Sequence, residues 1–237
     1  MKAIEVENVS KIFPDKTKAL EDVSFAIEEG EFVVIAGSNG SGKSVLMSLI
    51  AKLDSPSSGT IKTSTQAGLV FQDADAQILG ETCREDVAFG IRNCGYKKEI
   101  MNQKTDAALE ATGLLYKKDS AARTMSGGEK RRLAVSGILA MDRNIFIFDE
   151  PFANLDWPGI KKTCAILKQL KEQKKTVVVL THELEKILAL ADRFIVLDKG
   201  KVRYNGTAQE GIKLDLQQWS IKNPLVCGMK LENLLWL

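Results

Sequence analysis

A glycine-rich segment near the N-terminus carries the residues best suited to phosphate chemistry. Residues 37–44 read Gly-Ser-Asn-Gly-Ser-Gly-Lys-Ser and match the pattern G-x-x-x-x-G-K-[ST]. An apolar strand precedes this segment and a helix is expected from Lys43. In such a loop the backbone N–H groups point at phosphates, the lysine adds positive charge, and the serine hydroxyl suits magnesium. The segment, called here the phosphate loop, predicts nucleotide binding by Lys43 and Ser44.

Two adjacent carboxylates follow a second apolar strand, at residues 145–148. Asp149, at the carboxyl end of that strand, is expected to face the phosphate loop and to hold magnesium through water. Glu150 is expected to point elsewhere and to orient or deprotonate an attacking water. Two acids at a strand end are also typical of a simple turn. Their position about 106 residues after Lys43 favours the catalytic interpretation.

A second anion-binding segment lies between these motifs. Residues 125–129 read Met-Ser-Gly-Gly-Glu and open a predicted helix, and a helix start of this kind binds anions. A plain helix cap with flexible glycines is the alternative. The segment resembles the LSGGQ signature of ATP-binding cassette proteins, in which two cassettes enclose two ATP molecules. The resemblance implies a second cassette, identical or paralogous, whose nucleotide meets Ser126, Gly127 and Gly128.

Four further residues match the family in register. Gln72 resembles the Q-loop glutamine, which contacts magnesium and senses a membrane partner, and Asp156 lies in a segment that resembles the D-loop at the dimer interface. His182 resembles the switch histidine that contacts the γ-phosphate. Phe13 stands where the family places a ring against adenine, although a strand-end core residue is the competing interpretation.

The resemblance implies ATP and Mg²⁺ as cofactors and a defined set of site residues. The catalytic residues are Glu150, His182 and Gln72, and the magnesium ligands are Ser44, Gln72 and Asp149. The nucleotide-binding residues are Phe13, Gly37, Ser38, Asn39, Gly40, Ser41, Gly42, Lys43, Ser44, Val45, Ser126, Gly127, Gly128 and Asp156.

Three positions depart from the family pattern. Val45 replaces a hydroxyl residue, which removes a contact to the α-phosphate worth about 1 kcal/mol. Met125 and Glu129 replace leucine and glutamine of the signature, and both changes keep a similar shape. None of the three removes a group that hydrolysis needs.

The segment after Gln72 narrows the branch of the family. Residues 71–79 and 85–90 resemble the F-Q-x-P-D-x-Q and E-D-V-A-F-G patterns of energy-coupling factor importers for metal ions or vitamins, with Ala74 in place of proline. The resemblance implies an ATP-hydrolysing subunit at the cytoplasmic face of the cell membrane. Its partners would be a transmembrane coupling subunit, docked in a groove after Gln72, and a substrate-binding membrane subunit. Asp86 and its neighbours are alternatively a simple helix cap.

Three other functions stay open. One is a soluble cassette protein of DNA repair or the ribosome, another is a regulatory cassette without turnover, and a third is the ATPase of another importer type. The net charge of +2 over 237 residues gives no basic stripe, so no nucleic acid partner is expected. Four scattered cysteines and one histidine make a zinc site improbable and favour reduced thiols.

Strands and helices in alternation must position these residues. Strands are expected at residues 4–9, 23–27, 32–36, 60–63, 68–71, 145–148, 176–180 and 194–197, with helices at 43–53 and around Ile160. The pattern predicts an α/β fold with a mostly parallel sheet. The resemblance adds a P-loop NTPase with a RecA-like core, an N-terminal antiparallel β subdomain and a helical subdomain at about 73–141. The ATPase domain is expected to span residues 1–206, followed by a tail, 207–237, without a clear element.

Overall fold

The computed structural model describes residues 1–228 and 230–235, apart from the side chains of Asn93, Val226, Cys227 and Asn233. Within these residues the strands are β1 Lys2–Ile12, β2 Lys18–Glu28, β3 Phe32–Ala36, β4 Ser58–Thr63, β5 Gly68–Val70, β6 Ile145–Asp149, β7 Thr176–Thr181, β8 Arg193–Asp198 and β9 Lys201–Gly206. The α-helices are α1 Lys43–Ile50, α2 Cys83–Ile91, α3 Lys98–Ala111, α4 Gly127–Ala140, α5 Trp157–Glu172 and α6 Ala208–Gly211.

A six-stranded sheet forms the centre of the molecule, in the order β5-β6-β7-β3-β8-β9. All pairs are parallel except that of β8 with β9. Every residue of β3, β6 and β7 is buried, as expected for parallel strands covered on both faces. The mostly parallel sheet predicted from the sequence is confirmed. The loops that follow β3, β6 and β7 therefore open at one edge of the sheet.

The first strands form a separate antiparallel sheet in the order β2-β1-β4. Val23, Phe25 and Ile27 of β2 are buried in alternation, which matches the alternating polarity of the sequence. The strand β1 buries Ala3, Ile4, Val6 and Val9 across shifts in its pairing register. These side chains share one core with α1 and one face of the central sheet. The predicted N-terminal antiparallel unit is present.

The middle of the chain is helical, as predicted. The helices α2, α3 and α4 enclose an apolar core of their own, and α4 also contributes to the core on the second face of the central sheet together with α5. Because α4 belongs to both cores, it connects the helical subdomain to the sheet. Among residues 1–228 and 230–235, no helix has the length and apolar character needed to cross a membrane.

Two predicted boundaries are too long. The strand expected at 68–71 ends at Val70, because the N–H group of Phe71 donates to Oε1 of the Gln77 side chain. Nε2 of the same side chain donates to Leu69 O within the strand. The helix expected to reach residue 53 ends at Ile50, since Lys52 adopts a positive φ of 59°. The edge strand β9 lies outside the predicted set of strands.

The tail contains more structure than predicted. It forms α6 and short 3₁₀ turns, and Leu216, Ile221 and Leu234 are buried in the core beneath α5. Short turns carry too little periodicity to be recognised from sequence. Met229, Trp236 and Leu237 of this tail lie outside the described residues. Cys83, Cys94 and Cys164 are thiols, and the predicted thiol of Cys227 also lies outside the described side chains.

Candidate functional site

The phosphate loop joins the end of β3 to the start of α1. Gly42, with φ of 104°, occupies the cap position of that helix, a conformation that favours glycine. A Cβ atom at Gly37 would lie 2.4 Å from Leu197 O, so only glycine fits there. The Lys43 ammonium donates to Gly37 O at 2.7 Å and to Ser38 O at 3.1 Å. Burial lowers the pKa of Lys43, and the charges of Glu150 and Asp149 oppose that effect.

The first carboxylate of the second motif meets the phosphate loop directly. Ser44 Oγ donates to Asp149 Oδ2 at 2.9 Å. Asp149 is 5% exposed, and its Oδ1 is buried without a hydrogen-bond partner among the residues that the structure describes. Burial raises the pKa of Asp149, and the Ser44 hydrogen bond opposes that rise. A buried acceptor beside a serine hydroxyl fits a cation that prefers oxygen ligands, such as Mg²⁺.

The second carboxylate is oriented by several donors. Glu150 has a φ of 43°, and its N–H donates to Leu180 O at 2.8 Å. Its Oε2 accepts from the Thr181 hydroxyl at 3.1 Å, and its Oε1 lies 3.0 Å from His182 Nδ1. The Lys43 ammonium lies 3.7 Å from the same Oε1. The His182 side chain is 52% exposed and that of Glu150 only 8%, so the histidine forms the outer part of this pair.

These residues surround a cavity of about 280 Å³, called here the nucleotide cavity. Most residues predicted for nucleotide and magnesium binding line it, together with three residues that were not predicted from the sequence. The predicted ones are Asn39, Gly40, Ser41, Gly42, Lys43, Ser44, Val45, Gln72, Asp149 and Glu150, and the missed ones are Thr17, Lys18 and Ala19.

Phe13 does not line the nucleotide cavity. Its ring is 36% exposed just beyond β1, with the Lys11 ammonium 5.6 Å from the ring centroid. The Phe13 N–H donates to Thr17 O at 3.0 Å, so the ring belongs to the turn that brings Thr17 to the cavity. Its exposure excludes the competing interpretation as a core residue.

The signature residues line a different cavity, of about 320 Å³, called here the signature cavity. Ser126 caps α4: its hydroxyl accepts from Glu129 N at 3.4 Å, and Glu129 Oε2 accepts from Ser126 N at 3.1 Å. Lys117 donates to Glu129 Oε1 at 2.6 Å and is the largest cause that lowers the pKa of Glu129 to about 2. Asp156 also lines the signature cavity and caps α5 through Gly159 N at 2.9 Å.

The predicted site residues therefore fall into two groups within one chain. The nucleotide cavity and the signature cavity have different linings. Two basic residues at or near the signature cavity, Lys117 and Arg132, were not predicted from the sequence. Arg132 lines the cavity, and Lys117 binds Glu129. Basic residues next to the signature pattern were the available signal, but their spacing alone does not separate them from a solvated surface.

A third depression lies between α2 and α4 and is called here the helical groove. It measures about 150 Å³, and its lining includes Leu79, Phe89 and Ile138. Asp86 lies at the edge of this groove and fixes the segment before α2. Its Oδ1 accepts from Leu79 N at 2.7 Å and from Gly80 N at 3.0 Å. Burial raises the pKa of Asp86, and these two hydrogen bonds oppose the rise. The helix cap expected as the alternative interpretation is formed by Thr82 and Glu85, whereas Asp86 binds the two N–H groups before the cap, next to the groove.

Comparison with known proteins gives a consistent result. Residues 20–153 match the family described as ABC transporter. The energy-coupling factor transporter ATP-binding protein EcfA of Carboxydothermus hydrogenoformans is 38% identical over 86% of this chain and 80% of its own length. EcfA2 of Caldanaerobacter subterraneus subsp. tengcongensis is 39% identical over 87% and 80%. EcfA2 of Methanospirillum hungatei is 34% identical over 97% of this chain, which spans 62% of that relative.

Solved structures show the same fold. CbiO1 from Clostridium perfringens, described as part of the ABC transporter complex cbiONQ, superposes with a TM-score of 0.82 at 28% identity, over 95% of this chain and 97% of that one. The ATP-binding cassette MJ0796 in a post-hydrolysis state bound to ADP and phosphate gives a TM-score of 0.77 at 28% identity, over 86% and 98%. The predicted P-loop cassette fold is confirmed, and the chain belongs to the ABC transporter family.

Proposed function

We propose that this chain binds and hydrolyses ATP as the energising subunit of an importer of the energy-coupling factor type, for a metal ion or a vitamin. The observation that carries the proposal is the position of Glu150 between Lys43 and His182, at the mouth of a phosphate loop. The EcfA and EcfA2 relatives support the branch of the family.

The residues around Glu150 are arranged for attack of water on a terminal phosphate. The Thr181 hydroxyl and the His182 ring hold the Glu150 carboxylate in one orientation, so it is positioned to orient and deprotonate that water. The exposed His182 ring is positioned to contact the γ-phosphate. On nucleotide binding the Lys43 ammonium would exchange the Gly37 and Ser38 carbonyl oxygens for phosphate oxygens.

Magnesium fits the oxygen atoms beside the phosphate loop. Ser44 Oγ and the unpartnered Asp149 Oδ1 would hold it, directly or through water, with Gln72 at the cavity wall. When bound, Mg²⁺ neutralises charge on the phosphate oxygens. The chain's own contribution is to keep Ser44 and Asp149 in register before the nucleotide binds.

A second cassette completes the site. The nucleotide cavity and the signature cavity lie on different parts of the surface, and each presents backbone N–H groups at a helix start. A single ATP on the phosphate loop leaves the signature cavity available for the nucleotide of a partner. The partner is a second copy of this chain or a paralogue, and ATP binding draws the two together.

The helical groove offers a place for the membrane partner. Leu79 is 62% exposed and Phe89 is 47% exposed at this groove, and exposed apolar side chains around a groove favour an amphipathic helix. We assign the groove to a helix of the transmembrane coupling subunit, which works with a substrate-binding membrane subunit. The chain would then act as a peripheral protein at the cytoplasmic face of the membrane.

The test is the variant Glu150→Gln in the assembled complex. Phosphate release should fall on the order of 10²-fold, since a general base contributes about that much or more. ATP affinity should be retained, and an ATP-dependent dimer should accumulate in size-exclusion chromatography with light scattering. The exposed Glu172, at the end of α5, provides the control Glu172→Gln, which should leave phosphate release unchanged. A normal rate in Glu150→Gln would contradict the assignment of the base.

A further inference from the structure

Arg131, in α4, connects two segments of the nucleotide cavity through their main chains. Its side chain is buried, at 4% exposure. Nη1 donates to Glu150 O at 2.6 Å and Nη2 donates to Gln72 O at 2.6 Å. The two acceptors lie 19 and 59 residues away along the chain. One guanidinium group thus joins the segment after β6 to the segment after β5.

The Glu150 carbonyl accepts two hydrogen bonds, one from Arg131 Nη1 at 2.6 Å and one from Ala153 N at 3.1 Å. Glu150 adopts a φ of 43°, in the left-handed region that a non-glycine residue rarely occupies. Such a conformation persists only when the surroundings determine it. Leu180 O accepts the N–H of Glu150 and Arg131 donates to its carbonyl, so both backbone polar groups are engaged. The side chain that leaves this backbone meets Thr181 and His182.

The chemistry of the contact suits arginine specifically. Two carbonyl oxygens accept from the two terminal nitrogens of one planar group, and the flexible ammonium of a lysine does not reproduce that fork. Burial lowers the pKa of Arg131, while the nearby charges of Asp149 and Glu150 oppose that effect. An arginine side chain keeps its charge in proteins, so the guanidinium is a charged donor at this position.

We propose that Arg131 is a positioning residue for hydrolysis, which fixes the backbone of Glu150 and ties it to the segment that carries Gln72. Because Ser126 caps α4 and lines the signature cavity, Arg131 also connects the Glu150 carbonyl to the helix that starts at the surface proposed to meet the partner's nucleotide. A displacement of α4 then moves the Glu150 carbonyl. This inference rests on the proposed role of Glu150 as the base.

The first test compares Arg131→Met and Arg131→Lys with the unaltered chain in the assembled complex. For Arg131→Met, kcat should fall at least about tenfold, since a tenfold loss corresponds to one lost hydrogen bond. The affinity for ATP and KM should change less than about twofold, because Arg131 acts on the transition state through Glu150. Arg131→Lys, which keeps one donor, should retain a larger part of kcat than Arg131→Met.

Arg84 provides the matched control. It is an arginine of the same subdomain that donates to Asp106 at 2.6 Å on the surface of α2 and α3. Arg84→Gln should leave kcat, KM and ATP affinity unchanged. A kcat for folded Arg131→Met within about twofold of the unaltered value would overturn the proposal. If Arg131→Met does not fold, Arg131→Lys carries the test: it loses one of the two donors, so its kcat should fall more than about twofold, and a smaller loss would overturn the proposal.

A double-mutant cycle separates positioning from an independent effect. If Arg131 acts through Glu150, adding Arg131→Met to Glu150→Gln should lower the residual rate less than about twofold. Equal losses in both backgrounds would overturn the proposal. A normal rate in Glu150→Gln alone would contradict the proposed base, whereas a slow Glu150→Gln with a normal, folded Arg131→Met would contradict only the role of Arg131.

Discussion

Ser44 Oγ lies 2.9 Å from Asp149 Oδ2, although 105 residues separate the two along the chain. The contact joins the first turn of α1 to the end of β6. Asp149 Oδ1 remains without a hydrogen-bond partner within the described part of the chain. Asp149 Oδ1 therefore offers a buried oxygen, beside the Ser44 hydroxyl, to the magnesium ion proposed to bind here.

Removal of the Ser44 hydroxyl should weaken the magnesium-dependent part of nucleotide binding. For Ser44→Ala, the ratio of ATP affinities measured with Mg²⁺ and with a chelator should fall at least about tenfold, as for loss of a metal ligand or its support. Isothermal titration calorimetry with each form of the nucleotide gives this ratio.

Ser48, one turn later in α1, is the control for that experiment. Its hydroxyl donates to Ser44 O at 2.9 Å and does not face Asp149. Ser48→Ala should keep the magnesium dependence of the unaltered chain. If Ser44→Ala also keeps it, Ser44 is not a magnesium ligand.

The parts of the site that could be predicted from the sequence lie in short contiguous segments. The phosphate loop contains its glycines, its lysine and its serine within eight positions, and an apolar strand precedes it. Asp149 follows a strand of the same kind, and parallel strands open at one edge of a sheet. Local pattern and sheet topology together therefore brought Lys43 and Asp149 to one cavity.

The features that were not predictable depend mainly on side chains that bind main-chain groups elsewhere in the chain. Arg131 binds two main-chain carbonyl groups. Because every residue has such a group, no pattern of side chains in the sequence indicates the contact. Gln77 ends β5 early for the same reason, since its amide oxygen accepts from Phe71 N, the first residue after the strand. Phe13 was placed by family register alone, and the structure leaves its ring outside the nucleotide cavity.

The ion pair at the signature should give the chain a specific dependence of stability on pH. Lys117 is the largest cause that lowers the folded-state pKa of Glu129 to about 2, against an ordinary value of 4.5. A lowered pKa in the folded state means that the contribution to stability is present above pH 4.5 and is lost as the pH falls towards 2. As the pH is lowered from about 5 to about 3, the free energy of unfolding of Glu129→Gln should therefore fall less than that of the unaltered chain.

Urea unfolding at several pH values measures this difference. Lys117→Met should reduce the pH dependence in the same direction, because Glu129 then loses its nearest cation. Lys104→Met is a suitable control, as Lys104 pairs with Asp142 in the same subdomain and does not contact Glu129. Equal pH dependence of the unaltered chain and Glu129→Gln would contradict the effect assigned to this ion pair.

A charged side chain in the helical groove should separate the chain from its membrane partner while ATP binding persists. Phe89 is 47% exposed and lines the groove between α2 and α4, away from the nucleotide cavity. In Phe89→Asp a carboxylate would have to be desolvated against an apolar helix, which is costly when the charge has no partner. We expect the variant to lose co-purification with the transmembrane subunit, as measured after affinity purification from detergent extracts. Its ATP affinity and its thermal midpoint should match those of the unaltered chain.

Leu53→Asp is the matched control for that experiment, because Leu53 is also exposed, at 62%, and lies after α1 outside the helical groove. A general effect of added negative charge would reduce co-purification in both variants, whereas a specific groove would reduce it only in Phe89→Asp. Retention of the membrane subunit by folded Phe89→Asp at normal stoichiometry would exclude the groove as its docking site. The phosphate-release assay of Glu150→Gln is independent of that result, because Glu150 lines the nucleotide cavity and the two linings share no residue.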